Sequence, residues 1–396
     1  MRVGIILDNE FNHDSRVRKQ VELLKRSGHS IYVLCYAFDK KKYDDIEGIN
    51  ITRIGIKRTY RNIFFLLFHL FPFYETLWKN RIRKLIEQHN IQVVHVHDLY
   101  MSKAARKAIK RSGKKIRMVL DLHENYPAAV KTYNWTKGFI RKLLSQPEKW
   151  AKKEEEYLSY ADRLIVLSGH FKHVLLQRFR FLEPGNIYIF PNFPDTERLR
   201  NIEIHNVEIK KPEYPVLLYF GVLGERRGVF SSLEVLRKLL RKNIRATLLC
   251  IGPVDKADRG RFQKYMNDSE IRDYLIHIPW IDIEMLPSYL AISDIALAPF
   301  QKNAQHDSGV ANKIYQYMFG KLPVVASNCT PQQELIERYN CGLIYENEDQ
   351  FLGSLIKLIG SEKLREEMGS NGRDAIINKI DFSIYDQNLL KAIGND

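Results

Sequence analysis

Short β-branched runs alternate with helical stretches twice along this 396-residue chain, and the two series are separated by a proline-rich interruption. A run of four to six apolar residues followed by an amphipathic helix is the signature of a parallel sheet with crossover helices. In the first half the runs predict strands at Val3–Leu7, Ser30–Cys35, Gln92–Val96, Arg117–Leu120, Leu164–Leu167 and Ile187–Phe190. The helices predicted between them include Ser15–Arg26, Met101–Lys110 and one long helix over Gly138–Tyr160. The second series places strands at Val216–Phe220, Ala246–Ile251, Tyr274–Ile278, Ile295–Ala298, Pro323–Ala326 and Gly342–Ile344. A closing amphipathic helix, Ser383–Ile393, has no strand after it.

The fold class is therefore α/β, with two Rossmann-like, doubly wound parallel-sheet domains. The expected layout is a first domain over 1–195, a linker over 196–214, and a second domain over 215–380. The last helix, 381–396, is expected to pack back towards the first domain. Ligands of such sheets bind at the carboxyl ends of the strands, so a cleft between the domains is the expected site.

Charge is distributed unevenly. The net charge is +15, yet residues 1–200 alone carry +17 and the remainder −2. A basic half suggests an anionic partner, either nucleic acid or a membrane surface. No recognition helix, zinc finger or aromatic-interleaved RNA motif is present, which argues against nucleic acid. The run over residues 63–73, IFFLLFHLFPF, is too short to span a bilayer, which needs about twenty residues. Flanked by Arg58, Arg61, Lys79, Arg81, Arg83 and Lys84, it suits a contact with an anionic membrane surface, or else a lid or cap on the core. The four cysteines (Cys35, Cys250, Cys329 and Cys341) form no close-spaced pair. With no signal-peptide pattern at the start, the expected location is cytoplasmic, or peripheral on the inner face of the cell membrane.

Anion-binding chemistry gathers in the second half. A diphosphate is held by inward-pointing N–H groups at a helix start plus one or two cations. The loop Gly221–Gly228 follows a strand and contains Arg226 and Arg227, whose guanidinium groups can fork onto phosphate oxygens. A second loop, His306 to Lys313, contains Asp307, Ser308, Gly309 and Asn312 and opens the next helix. Lys313 either closes an anion pocket or caps a solvated helix turn. Arg16 lies after the first strand; it is a candidate acceptor or phosphate contact, or an ion-pair partner of Asp14. Asp307 is a second such candidate. His95 and His97 would share one strand face, as a chelate needs, but the sequence offers no obvious further ligands. Neither a metal nor a cofactor is expected.

The stretch Ala311–Ser327, ANKIYQYMFGKLPVVAS, resembles the retaining group 1 glycosyltransferases (family 4, fold type GT-B), whose members often read P-N-K-L-F-E-Y-M-A-A-G-x-P-V-V-A-S. Other landmarks of that family fall in order along the chain. They include Asp14-Ser15-Arg16-Val17, Val94-His95-Val96-His97-Asp98, Asp121-Leu122-His123-Glu124, Phe190-Pro191-Asn192 and Ile292-Ser293-Asp294. The resemblance implies transfer of a sugar from a nucleotide diphosphate-sugar, metal-independent and of hexosyl type, to a lipid-linked saccharide acceptor in bacterial surface polysaccharide or glycolipid synthesis. It places Arg227 on the donor's phosphates, Gln316 at the ribose and His123 facing the sugar near the reacting carbon. Capping of a helix is the plain alternative for His123.

Two departures accompany this likeness. Gln316 and Ser308 stand where the family's E-x7-E motif has glutamates, so the ribose loses a charge-assisted acceptor pair, roughly a factor of two in bond strength. Lys321 stands where the family has glycine, with Gly320 one place early. Two other functions fit the same sequence: a nucleotide-sugar epimerase, or a non-catalytic nucleotide-sugar-binding subunit descended from a transferase.

Overall fold

The computed structural model describes all residues except 39–44, 68–70, 134–135, 137, 195–203, 206, 208, 210–211 and 395–396. The chain divides into two compact units, Met1–Pro191 with Phe382–Asp396, and Asn192–Asp381. Most of the expected linker at 196–214 lies outside the described residues.

The first unit is a seven-stranded, wholly parallel sheet. Its elements in chain order are β1 (Arg2–Ile6), α1 (Ser15–Arg26), β2 (Ser30–Ala37), β3 (Asn50–Gly55), α2 (Arg58–Leu66), α3 (Phe73–His89), β4 (Val93–His97), α4 (Ser102–Ser112) and β5 (Arg117–Asp121). They continue with α5 (Tyr126–Thr132), α6 (Phe139–Ser145), α7 (Pro147–Leu158), β6 (Arg163–Val166), α8 (Gly169–Arg178) and β7 (Ile187–Ile189). The strand order is β3-β2-β1-β4-β5-β6-β7, which reverses direction between β1 and β4. That switch point is where loops at the carboxyl ends of neighbouring strands part and leave room for a ligand.

Inner strands such as β1 and β4 are buried on both faces, which is why they read as continuous apolar runs. The edge strand β3 buries only Ile54 and has no such run, so the sequence pattern passed over it. α1 begins where the Asp14 carboxylate accepts the Val17 N–H at 3.0 Å. It buries Arg16, Val17, Gln20, Val21 and Leu24, spaced to share one face.

One expected element is corrected. The helix over Gly138–Tyr160 is two helices, α6 and α7, broken at Gln146, whose φ is +42°. Pro147 causes the break, since it lacks an N–H and disfavours helical geometry in the residue before it. The apolar run at 63–73 is also divided, between the end of α2 and the start of α3, and its residues 68–70 lie outside the described residues. No helix among the described residues is long and apolar enough to cross a membrane.

The second unit is a six-stranded parallel sheet of order β10-β9-β8-β11-β12-β13. It contains β8 (Val216–Phe220), α9 (Val229–Arg241), β9 (Thr247–Ile251), α10 (Arg259–Met266), β10 (Leu275–Ile278), α11 (Leu286–Ala291) and β11 (Ile295–Ala298). After these come α12 (Asn312–Phe319), β12 (Val324–Ser327), α13 (Thr330–Arg338), β13 (Gly342–Tyr345), α14 (Glu348–Ile359) and α15 (Glu362–Asp374). The final helix, α16 (Ser383–Ile393), belongs to the first unit, where it buries Leu389, Ala392 and Ile393 beside β6 and β7. Hydrogen bonds between this helix and the sheet pin it in place. Arg117 Nη1 donates to the Ile393 carbonyl at 2.8 Å, and Asn388 Nδ2 donates to the Ile189 carbonyl at 3.0 Å.

Two backbone positions in the second unit carry testable strain. A Cβ on Gly228, whose φ is +78°, would lie 1.6 Å from the Pro299 carbonyl oxygen. Lys321, the residue in the family's glycine position, does adopt φ +59°, whereas Gly320 has φ −74° and is small because Leu290 packs on it. Gly228→Ala is expected to lower unfolding free energy by at least about 2 kcal/mol, and Lys321→Gly to raise it by about 0.5–1 kcal/mol. Urea melts of the two variants check both signs.

Candidate functional site

The first unit's functional groups converge on one carboxylate. Asp121 ends β5 and is completely buried. Arg16 of α1 grips it with both arms, Nη2 to Oδ1 at 2.7 Å and Nε to Oδ2 at 3.0 Å, and Gln20 one turn later donates to Oδ2 at 2.7 Å. Burial alone would raise the Asp121 pKa, but Arg16 together with His123 and His97 holds it well below the carboxylate range. Arg16 is thus committed to a carboxylate of its own unit, and its guanidinium also stacks 5.0 Å from the Phe190 ring centre.

His123, two residues past β5, is 3.7 Å from Asp121 by its Nε2, and its Nδ1 lies 4.0 Å from Asp98 Oδ1. Burial pushes its pKa down. The carboxylates of Asp98, Asp121 and Asp14 more than offset this and raise it to about 9. His123 is therefore an imidazolium at neutral pH, with a proton on both nitrogens. Its Nε2 is 2.8 Å from Nδ1 of His97, so the charged His123 donates and His97 accepts. His97 in turn is held neutral, because burial lowers its pKa.

His123 lines a pocket of about 290 Å³ at the switch point, together with Asp8, Asn9, Arg58, Arg61, Asn62, Asp98 and Tyr100 among others. The size lies at the small end of ligand pockets. His95 and His97 do share a strand face, and the fold supplies the third group the sequence lacked: potential ligand atoms of His95, His97 and Asp121 lie within 4.8 Å of one another. A cation there would sit against the Arg16 guanidinium that already neutralises Asp121, a poor setting for a dication.

The second unit assembles a different kind of site. Gly221, at φ +115°, turns the chain out of β8, and the loop ends at Gly228, which caps α9. The Tyr219 hydroxyl fixes the loop from beneath by reaching the carbonyls of Val222 at 3.2 Å and Arg227 at 3.0 Å. The Tyr317 hydroxyl accepts the Phe220 N–H at 2.9 Å, so this tyrosine of the Ala311–Ser327 stretch has a structural task. Lys313, in the first turn of α12, is 8% exposed. Its Nζ sits between two rings, 4.2 Å from the Tyr219 centroid and 4.6 Å from that of Phe300. Among the described residues no carboxylate lies within ion-pair distance of it. Burial and the nearby Arg227 push its pKa well below the usual lysine value. Beside it, Asn312 Oδ1 is buried with no hydrogen-bond partner.

Around these cations the other candidates take plainer positions. Ser308 is buried and its hydroxyl donates to the Gln305 carbonyl at 2.6 Å. Asp307 spends one carboxylate oxygen on the Thr330 N–H at 2.7 Å, at the start of α13. Gly309 is extended, with φ −171°, a conformation open to any residue. Gln316 is buried on α12, and Arg226 and Arg227 are half-buried in the loop after β8.

Comparison with known proteins gives two matching family models, Glycosyltransferase Family 4 over residues 15–198 and Glycosyl transferases group 1 over residues 201–375. The chain belongs to the group 1 glycosyltransferases. Its two parallel-sheet units are the GT-B fold. The Staphylococcus aureus capsular polysaccharide biosynthesis glycosyltransferase CapM is 24% identical over 183 residues, a match that spans 44% of either chain. Sucrose-phosphate synthase from Thermosynechococcus elongatus has a TM-score of 0.72 at 15% identity, covering 98% of this chain and 97% of that one. Anabaena HepE in complex with UDP has a TM-score of 0.68 at 10% identity and covers 100% of both chains.

In this glycosyltransferase, sequence reasoning missed Asp121 as the centre of the first site and missed Gln20 altogether. The signal for Gln20 was present in its i, i+4 spacing from Arg16 on one helix face. Asp121→Asn is expected to destabilise the fold by about 3–5 kcal/mol, because Arg16 would be left buried without a counter-charge. His123 has a pKa above its ordinary 6.5, so the stability it contributes is full below about 6.5 and is lost as pH rises through about 9. NMR titration should therefore place the His123 midpoint near 9, falling towards 6.5 in Asp98→Asn.

Proposed function

We propose that this chain transfers a hexosyl group from a nucleotide diphosphate-sugar to a saccharide acceptor, with retention at the anomeric carbon and without a metal ion. The observation that carries the reading is Lys313, a buried amine caged by two rings beside Arg227 with no carboxylate of its own. An unmatched cationic site is costly unless it receives an anion. A diphosphate satisfies it with four or more acceptor oxygens, and the start of α12 and the Gly221–Gly228 loop add N–H groups. HepE, of the same fold, is seen with UDP, and CapM acts in capsular polysaccharide biosynthesis.

The step this geometry supports is replacement of the anomeric C–O bond to the diphosphate by a bond to the acceptor hydroxyl oxygen on the same face. The proton of that hydroxyl passes to the departing diphosphate oxygen. Arg227, Lys313 and the loop amides stabilise the charge that builds on the diphosphate, so electrostatics carries the reaction instead of a protein base. His123, as an imidazolium paired with Asp98, cannot take up a proton; its role is to hold and polarise a sugar oxygen.

We read the acceptor as lipid-linked and the enzyme as peripheral on the cytoplasmic face of a bacterial membrane. Support comes from the outer face of α2 and the neighbouring α6, where Tyr60, Ile63, Phe64 and Leu143 are exposed and Phe139 is 87% exposed. Large rings standing out beside Lys142 suit the headgroup level of an anionic bilayer.

A nucleoside diphosphate at a hundredfold excess over its Kd should add about 2.7 kcal/mol, a rise of roughly 5–10 °C in the melting of a unit this size. Absence of a shift with every common nucleoside diphosphate would end the transferase reading. Lys313→Ala should abolish the shift, whereas His123→Ala should keep it and cut kcat by about a hundredfold or more. Activity should survive EDTA dialysis, and a loss restored by a divalent ion would return His95, His97 and Asp121 to consideration. Anionic vesicles should co-sediment the protein, and Phe139→Ser with Phe64→Ser should release it.

A further inference from the structure

Lys313 is an amine placed where little supports a positive charge. It lies in the first turn of α12, where the peptide dipoles of the helix already present a partial positive charge. Burial removes the water that would solvate an ammonium ion, and the three N–H donors of such an ion need acceptors. Among the described residues no carboxylate answers them, and Nζ faces the rings of Tyr219 and Phe300, 4.2 and 4.6 Å from their centroids. Ring faces attract a cation, but more weakly than the hydration they displace.

The groups that neighbouring elements bring to the amine do not supply the missing negative charge. β8 contributes Tyr219, whose phenol stays neutral because burial raises its pKa. β9 contributes the Cys250 thiol, which burial pushes up to about 12 and so leaves uncharged. From the loop after β8 comes Arg227, a fixed cation that opposes a second one. Past β11, the His306 ring packs 5.0 Å from that of Phe300, and burial lowers its pKa, so it is neutral too. β11 and β12 themselves carry no titratable side chain. On α12, the Tyr317 hydroxyl is taken up by the Phe220 N–H, and Asp307 before the helix accepts from the Thr330 N–H. α15 and residues 375–379 also pack on α12. There Arg373 donates to the Phe319 carbonyl at the opposite end of the helix, and Lys379 pairs with Asp374. Burial and Arg227 together hold the Lys313 amine well below the usual lysine range.

We propose that a nucleoside diphosphate protonates Lys313 on binding: the amine is neutral in the empty site and takes one proton from solvent as the diphosphate arrives. The lone pair of Nζ receives the proton, and no bond to phosphorus forms. For the identity of the anion this rests on the transferase reading. The diphosphate oxygens bring both the absent acceptors and an opposing charge, and each favours the ammonium form. The start of α12 therefore carries the extra charge only while an anion is there to use it. Once the diphosphate is bound, the amine keeps its proton to higher pH than it does alone. Affinity is thus level in acid, where the empty amine already holds its proton, and falls by up to about tenfold per pH unit above that.

Two measurements on the full chain test this at about pH 8, where a nucleoside diphosphate is itself ionised. In protein isotopically labelled at lysine, the Lys313 Cε resonance is assigned by its loss in Lys313→Met. It should report a neutral amine in the empty protein and an ammonium ion after saturation with UDP, ADP or GDP, whichever binds. Calorimetry of that nucleotide in buffers of different ionisation enthalpy should show uptake of close to one proton per molecule bound. Lys313→Arg, whose charge is fixed, should bind with no uptake; if it does not fold, the lysine resonance decides. An ammonium ion in the empty protein, binding without proton uptake, or equal uptake in Lys313→Arg would overturn the proposal and leave the transferase reading standing. Absence of binding by every nucleotide would overturn both.

Discussion

The first unit depends on one buried carboxylate. Asp121 receives two bonds from Arg16 and one from Gln20, and its charge joins that of Asp98 in keeping His123 protonated, while burial keeps His97 neutral. Its position follows from β5 ending at the sheet's carboxyl edge, and its partners come from α1, which α-helical spacing presents to the same point. An ion pair so enclosed contributes little net stability, since desolvation offsets most of the attraction. What it gives is definition. The His123 ring is held between His97, Asp121 and Asp98 and is charged at neutral pH, at the edge of the pocket it lines.

The two units solve opposite electrostatic problems with the same architecture. Around His123 the cations that line the pocket face carboxylates, Arg61 beside Asp8, His123 beside Asp98 and Arg58 beside Glu10. Around Lys313 no carboxylate of the described residues lies within ion-pair distance and two rings enclose the amine, which suits an incoming anion. A fold of this kind does not determine such a difference. It arises from side chains at the carboxyl ends of β1, β4 and β5 in one sheet, and from β8 and α12 in the other.

The departures from the family pattern prove unequal. Lys321 adopts a left-handed backbone that a glycine would take without strain, so the turn into β12 carries a local cost of about 1 kcal/mol. Gly320 is needed for a separate reason, the close packing of Leu290. Gln316 stays buried on α12 and Ser308 closes its own turn through Gln305, so neither substitution disturbs the backbone around it.

Periodicity in the sequence was enough to specify two parallel α/β sheets, because strands buried on both faces must be continuously apolar and crossover helices must be amphipathic. The same logic located the glycine loop after β8 and the start of α12, where local chain geometry and local residue type coincide. Edge strand β3 escaped because a half-exposed strand need not be apolar, and the α6–α7 break was legible only through Pro147. Pairing across the sheet lay beyond sequence. Arg16 and Asp121 stand 105 positions apart, as Arg61 and Asp8 stand 53 apart, and nothing in residue identity names such partners. Tertiary structure alone decided them, because charge is settled by what a group faces once buried, and in a parallel sheet that neighbour comes from a strand or helix distant in the chain.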